Sequence, residues 1–257
     1  MIYEINNCLL EVVNEIPAYN ELIFGRFSQF LTKNQEKANN FLKFFSDGLE
    51  ICVKGQYFHI KGQVVKTDLY VIINNILSLL INDENNIYMH SVVVSGSQGG
   101  VLIVGDFGQG KTTLAREFQK NGYKINSTDQ TWLYYEQNHI KLKRGSKFYM
   151  NNSDIFYIDD LDVMKNVEIR KIIKIAGICD NGKTDIILQD NYYHKLKQLA
   201  VYCNWSSITP LFSCDDSLFR VDKYTKLFLN NMKCIPMYIV RGNRKEIVKI
   251  LMEIENI

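Results

Sequence analysis

Residues 101–120 read VLIVGDFGQGKTTLAREFQK, and this stretch decides the architecture. Four branched apolar residues, Val101 to Val104, form a run suited to a buried, pleated strand. The run passes without a spacer into Gly105-Asp106-Phe107-Gly108-Gln109-Gly110-Lys111-Thr112, then Thr113 and a helix expected from Lys111 to about Lys120. Strand, Gly-x-x-x-x-Gly-Lys-Thr loop and helix together make the P-loop pattern in its required context. The glycines let backbone N–H groups curl around phosphate oxygens, and the helix start adds the positive end of its dipole. On this reading residues 105–113 hold a nucleotide's phosphates. Lys111 neutralises the β- and γ-phosphates, and the Thr112 hydroxyl ligates Mg²⁺.

Outward from the loop, Ile87–Val94 is a second branched apolar run, joined to Val101 by Ser95-Gly-Ser-Gln-Gly-Gly100. So short a connection of turn-forming residues makes the two strands antiparallel neighbours. With Val94 opposite Val101, Ser91 faces Val104 and His90 lies beside Gly105. On the other side, Asn121-Gly122 ends the helix and Tyr123–Asn126 starts a strand. A helical connection makes that strand parallel to the P-loop strand. Its carboxyl end, Ser127-Thr128-Asp129, then opens at the sheet edge where ligands of such sheets bind. One histidine and one aspartate thus flank the phosphate loop from opposite neighbours.

This spaced set resembles the HPr kinase family, bacterial serine kinases unrelated in fold to eukaryotic protein kinases. It also resembles their smaller HPr-kinase-like relatives from peptide-modifying gene clusters. The carrying residues are His90, Gly105 fifteen positions later, Lys111, Gly122, and Asp129 eighteen positions beyond the lysine. The resemblance implies a mixed-sheet α/β P-loop core that uses ATP and Mg²⁺ to transfer the γ-phosphoryl group to a Ser or Thr hydroxyl of a peptide or small protein. It implies catalytic roles for His90, Lys111 and Asp129, metal contacts from Thr112 and Asp129, and a homo-oligomer. Val167-Glu168-Ile169-Arg170 is similar to a family segment whose glutamate helps bind the metal, which adds Glu168. The glycines that follow in the family are replaced here by Lys171-Ile-Ile-Lys174. Thr128 stands where the family has its implied catalytic acid/base aspartate, and a threonine takes no hydroxyl proton at neutral pH. Either Asp129 has assumed the role, or the chemistry is weakened or lost. A small-molecule kinase and a nucleotide-binding regulator without transfer activity (a pseudokinase) are the alternatives. A P-loop ATPase using Asp159, at the end of the Walker-B-like run Ile155–Asp160, would need that run beside the P-loop strand.

The 257 residues, 46% of them hydrophobic, can bury a core in one large or two small domains. The pattern divides into an N-terminal α+β cover, residues 1–86, and a P-loop kinase-like core, residues 87–257. The cover carries a strand-like run from Ile2 to Val13 and a hairpin of Leu49–Val53 with Tyr57–Ile60. A helix capped by Thr67-Asp68 follows, with its apolar face on Leu69, Ile72, Ile73, Ile76, Leu77 and Leu80. No catalytic signature stands out in it. Further hairpins are expected for Trp132–Glu136 with Ile140–Lys143, and for Ile172–Cys179 with Thr184–Leu188 across Asp180–Lys183. A helix from Asp190 to about Tyr202, a strand at Cys234–Val240 and a helix at Glu246–Ile254 complete the chain. A formal charge of +2 provides no field toward nucleic acid or anionic membrane. The longest apolar stretch, Leu69 to Ile81, is broken by Asn74-Asn75 and too short to span a bilayer. Six cysteines without a CxxC pair or metal-ligand spacing, and a start without a readable secretory signal, suggest free thiols in a reducing cytoplasm. Lys141, Lys143, Arg144 and Lys147 form a basic cluster able to clamp a phosphate or an acidic peptide, the plainer alternative being a solvated hairpin edge.

Overall fold

The computed structural model describes residues 1–34, 36–146, 148–151, 154–157, 166–179, 182–203 and 215–255. The run from Ile2 is split at Asn6-Asn7, both with positive φ (48° and 62°), into β1 (Ile2–Ile5) and β2 (Cys8–Asn14). Asparagine tolerates this left-handed backbone better than other side-chain-bearing residues do. With β3 (Asn40–Phe45), β4 (Gly48–Val53) and β5 (Gln56–Lys61) these strands form a sheet in chain order. Only the β2–β3 pairing is parallel. A parallel pair needs a crossover, and α1 (Asn20–Phe27) lies in it. Helix α2 (Lys66–Ile81) starts from Val65, which offers no side-chain cap, so Thr67 and Asp68 sit inside its first turn rather than ahead of it. Its apolar residues join the first sheet's core. Tyr70, Asn74, Ser78 and Asn82, spaced by four, form a buried polar ridge along it.

The second sheet begins with β6 (Asn86–Gly96) and β7 (Gly99–Val104), paired as expected with Val94 opposite Val101 and Ser91 opposite Val104. The turn itself shrinks to Ser97-Gln98, because the flanking serine and glycines continue the ladder. Beyond α3 (Lys111–Lys120), β8 (Lys124–Ser127) pairs antiparallel with β6. Since β6 also runs antiparallel to β7, β8 points the same way as β7, but with β6 between them, so Asp129 comes from the same side as His90 and the opposite neighbour of β7 is a later strand. β9 (Gln130–Glu136) and β10 (His139–Gly145) form the expected hairpin, turning at Gln137-Asn138 with φ of 51° and 66°.

β11 (Phe148–Asn151) and β12 (Asp154–Tyr157) make a separate hairpin. The strands flanking β7 are β6 and β13 (Ile169–Ile178), so the Ile155 run is not the neighbour that the ATPase reading requires. Asp159, Asp160 and Lys147 lie outside the described residues. The expected hairpin over residues 172–188 does not form, and its turn residues 180 and 181 lie outside the described residues. Instead β14 (Asp185–Leu188) pairs antiparallel with β15 (Met237–Gly242), which lies parallel to β13. β13 carries buried Ile172, Ile173 and Ile175, which suit an interior position between two parallel strands rather than a hairpin arm. The helix expected from Asp190 is α4 (Tyr192–Cys203), capped by Asn191, whose Oδ1 accepts the His194 N–H at 3.1 Å. Helices α5 (Asp215–Asn231) and α6 (Arg244–Glu255) complete the fold.

Alternation along β6 decides what each face meets. Val92 and Val94 pack with α3 and α6, Met89 and Val93 with α4 and α5, and Tyr88 joins the first sheet's core with Trp132. His90 falls between Tyr88 and Val92, on the face where α3 meets the N-terminal segment. No helix among the described residues is long and apolar enough to cross a membrane. Cys8, Cys52, Cys179, Cys203 and Cys234 are free thiols.

Candidate active site

The loop from Gly105 to Gly110 turns through positive φ at Gly108 (76°) and Gly110 (88°), a conformation that a side chain would strain. The first α-helical bond of α3 closes from Leu114 N–H to Gly110 O at 2.8 Å. The N–H groups of residues 111–113 therefore have no carbonyl within the helix and suit an anion. Lys111 is buried and its Nζ donates to the carbonyls of Gly105 (2.7 Å) and Asp106 (2.9 Å). Burial pushes its pKa down to about 8, against the pull of Asp129 and Asp106. Asp106 N–H donates to Gln109 Oε1 at 2.9 Å, and Gln109 Nε2 returns a bond to Asp106 Oδ2 at 3.1 Å. From α4, the Tyr202 hydroxyl reaches Asp106 Oδ1 at 3.3 Å. Phe107 is 64% exposed and stacks on His90 with ring centroids 4.4 Å apart. Thr112 is half-buried and Thr113 exposed.

Asp129 sits at the bend between β8 and β9 with φ 61°, a backbone that aspartate accepts more readily than most residues. Its carbonyl accepts the Ser91 N–H at 3.1 Å. Its carboxylate is buried: Oδ2 takes the Tyr70 hydroxyl at 2.6 Å and Nη2 of Arg26, and Oδ1 stands 3.4 Å from His90 Nδ1. Burial alone would raise this carboxyl, but the Arg26 charge and the bonds from Tyr70 and Arg26 outweigh it and hold the pKa below its ordinary value. Asp129 is thus a carboxylate at neutral pH. His90 is driven the other way, to about 3, by burial and then by the Lys111 charge. It is therefore a neutral imidazole. Burial, then the Asp129 charge, raises the Tyr70 phenol, which remains a proton donor.

Three expected residues therefore meet at the carboxyl end of β7: Lys111 from the loop, His90 from β6 and Asp129 from the β8–β9 bend. Glu168 does not join them. It precedes β13, which runs parallel to β7, so it lies at the amino end, where its carbonyl accepts the Gly100 N–H at 2.7 Å. Five residue steps along the strand lead from Gly100 to Gly105, roughly 16 Å, and the Glu168 carboxylate is engaged by His139 Nδ1 (2.5 Å) and Arg170 Nη2 (2.8 Å). It cannot share a metal with Thr112. Thr128 is fully buried, and its hydroxyl is donated to the Ser146 carbonyl at 2.9 Å. Arg26 and Tyr70, by contrast, come from the segment in which the sequence shows no catalytic signature. The available signal for Arg26 was a cation on the apolar stripe Leu22, Ile23, Phe27 of α1, all buried.

No group of three His, Cys, Asp or Glu residues that could hold a metal occurs among the described residues. Mg²⁺ fits such a site, because it keeps several waters and takes phosphate oxygens with only one or two protein ligands. No family model matches the chain, and no curated protein matches it in sequence. Among solved structures, the HPr(Ser) kinase/phosphatase from Coxiella burnetii is similar, with a TM-score of 0.37 and 12% identity over 66% of this chain and 95% of that one. Residue roles do not carry across at that identity, and the site rests on its own geometry within a mixed α/β fold.

Proposed function

We propose that this protein is an ATP-dependent, HPr-kinase-like kinase that transfers the γ-phosphoryl group to a Ser or Thr hydroxyl of a peptide or small protein. The observation that carries the reading is the convergence of Lys111, His90 and an ionised Asp129 on the phosphate loop. The loop glycines and the start of α3 fit the phosphates, and the Thr112 hydroxyl is the group to hold Mg²⁺, which leaves Asp129 Oδ1 to the acceptor hydroxyl. When bound there, nucleotide and metal supply the phosphoryl group and neutralise its charge. Lys111 exchanges the carbonyls of Gly105 and Asp106 for phosphate oxygens. With a pKa near 8 it stays mostly protonated at neutral pH. Asp129, held by Arg26 and Tyr70, orients the acceptor hydroxyl and accepts its proton on Oδ1. Its lowered pKa makes it a weak base, which suffices where catalysis is mostly positioning and charge neutralisation. Neutral His90 borders the same oxygen and excludes water there. The free thiols agree with a cytoplasmic setting.

A second reading, a nucleotide-binding regulator, is favoured by the commitment of the Thr128 hydroxyl to Ser146. Incubation with γ-labelled ATP and synthetic Ser- and Thr-containing peptides separates the readings. Label on a peptide supports the kinase, free phosphate alone an ATPase, and tight binding without turnover the regulator. Lys111→Ala is expected to abolish transfer with an unchanged circular dichroism spectrum; retained transfer refutes the site.

A further inference from the structure

A second site lies on the same face of the sheet, past Asp129 along β9. A cavity of about 260 Å³ is bounded by Glu4, Phe30, Thr32, Trp132, Lys143 and Arg144, with Leu31 60% exposed at its rim. Its two cations come from an irregularity in the β9–β10 ladder. Leu142 faces Leu133 and Arg144 faces Trp132, which leaves Lys143 as an extra residue. A bulge of this kind re-aims side chains that would otherwise alternate between faces, and here Lys143 and Arg144 line one cavity. Lys143 Nζ lies 4.3 Å above the Trp132 ring, and the Arg144 guanidinium 5.2 Å from that of Phe30.

Neither cation has an ion pair or hydrogen bond among the described residues. Of the two carboxylates that act on them, Asp83 is occupied outside the cavity and Glu4 lines the cavity wall. Asp83, which acts on Lys143, accepts Asn6 Nδ2 (2.9 Å), Asn85 N–H (2.8 Å) and Asn86 Nδ2 (2.9 Å). Glu4, which acts on Arg144, accepts the Thr32 hydroxyl at 3.4 Å. Partial burial works against both charges and lowers both pKa values. Two half-buried cations with their donors unspent on an aromatic floor are complementary to an anion. Since one water occupies about 30 Å³, the cavity takes a side chain with part of its backbone rather than a lone ion.

We propose that this cavity binds a carboxylate side chain of an acidic acceptor peptide. The reading of the peptide as acceptor rests on the proposed kinase activity. Trp132 follows Asp129 by three residues, roughly 10 Å of strand, so the acidic residue stands about three positions from the Ser or Thr that meets Asp129.

Binding is measured without nucleotide, by anisotropy of rhodamine-labelled hexapeptides. They carry a serine with an aspartate three residues before or after it, or an asparagine in place of the aspartate. One aspartate peptide is expected to bind at least about tenfold more tightly than its asparagine twin. Lys143→Gln/Arg144→Gln removes that preference, and Lys143→Glu/Arg144→Glu transfers it to a lysine-bearing peptide, which a merely structural role would not do. Equal binding of the aspartate and asparagine peptides overturns the proposal, as does a preference that survives Lys143→Gln/Arg144→Gln. Inorganic phosphate binding without any peptide preference also overturns it. Peptide binding with this charge dependence but without label transfer upholds the anion site and removes only the kinase reading.

Discussion

Replacing Arg26 by methionine removes the cation that keeps Asp129 ionised while preserving most of the buried volume. Arg26 is 1% exposed, donates to Asp129 Oδ2, and lies 4.6 Å from the Tyr70 ring. Removing one partner of a buried pair costs about 3–5 kcal/mol, because the other charge is left uncompensated. The pH dependence identifies that cause. In the wild type the Asp129 pKa is lowered. Its contribution is thus complete above the unfolded value of about 3.9 and is lost as pH falls through the lower folded value. In Arg26→Met, burial acts without its strongest opponent and the carboxyl rises, so the variant loses stability as pH climbs above about 4. The difference from wild type should be smallest, about 1 kcal/mol from packing and the cation–π contact, where the pH is low enough to protonate Asp129 in the folded wild type, and should grow to about 3–5 kcal/mol at pH 7. Urea unfolding at several pH values measures it. Arg26→Met/Asp129→Asn, which removes both charges, should recover to within about 1 kcal/mol of wild type. A penalty independent of pH, or a double variant as unstable as the sum of its parts, refutes the reasoning.

Thr128→Asp restores the residue type of the resembled family but places a carboxylate against the Ser146 carbonyl in a fully buried position. We expect it to unfold at lower urea by several kcal/mol and to transfer no more label; faster turnover would show that residue 128 can reach the acceptor. A Cβ at Gly145 would stand 2.6 Å from Asn126 O and 2.8 Å from Ser127 Cα. Gly145→Ala should therefore cost about 1–3 kcal/mol and slow transfer by displacing the Asp129 bend. Gly177→Ala, with no heavy atom closer than 3.8 Å, should do neither in the same melts and assays. His90 titrates near 3 because burial and Lys111 disfavour its charge. Its folded pKa lies below the unfolded value of about 6.5, so its contribution is complete above that pH and declines as pH falls toward 3. Its ring protons should show no NMR inflection between pH 5 and 8, and one near 6.5 would contradict the burial argument.

What the residues reveal by themselves is what neighbours along the chain decide. The loop from Gly105 to Thr112 is legible because glycine φ freedom and a helix start are properties of consecutive residues. The β6–β7 register is legible because a short turn leaves few pairings, and His90 beside Gly105 follows from counting outward. The β9–β10 turn at Gln137-Asn138 is local in the same way. The pairing of β14 with β15 was not readable, since it joins residues 185–188 to residues 238–241 and depends on which strands already fill the sheet. Glu168 looked right by its neighbours, yet strand direction carries it to the opposite end from the loop. Thr128 was visible as a departure, but only the fold commits its hydroxyl to Ser146. Arg26 and Tyr70 reach Asp129 across 103 and 59 residues of chain. Their effect on its charge comes from burial and Coulomb attraction, which depend on separation in space rather than along the sequence. Sequence alone therefore determined the glycine loop and its two neighbouring residues, and tertiary packing decided the charge that His90 and Asp129 carry.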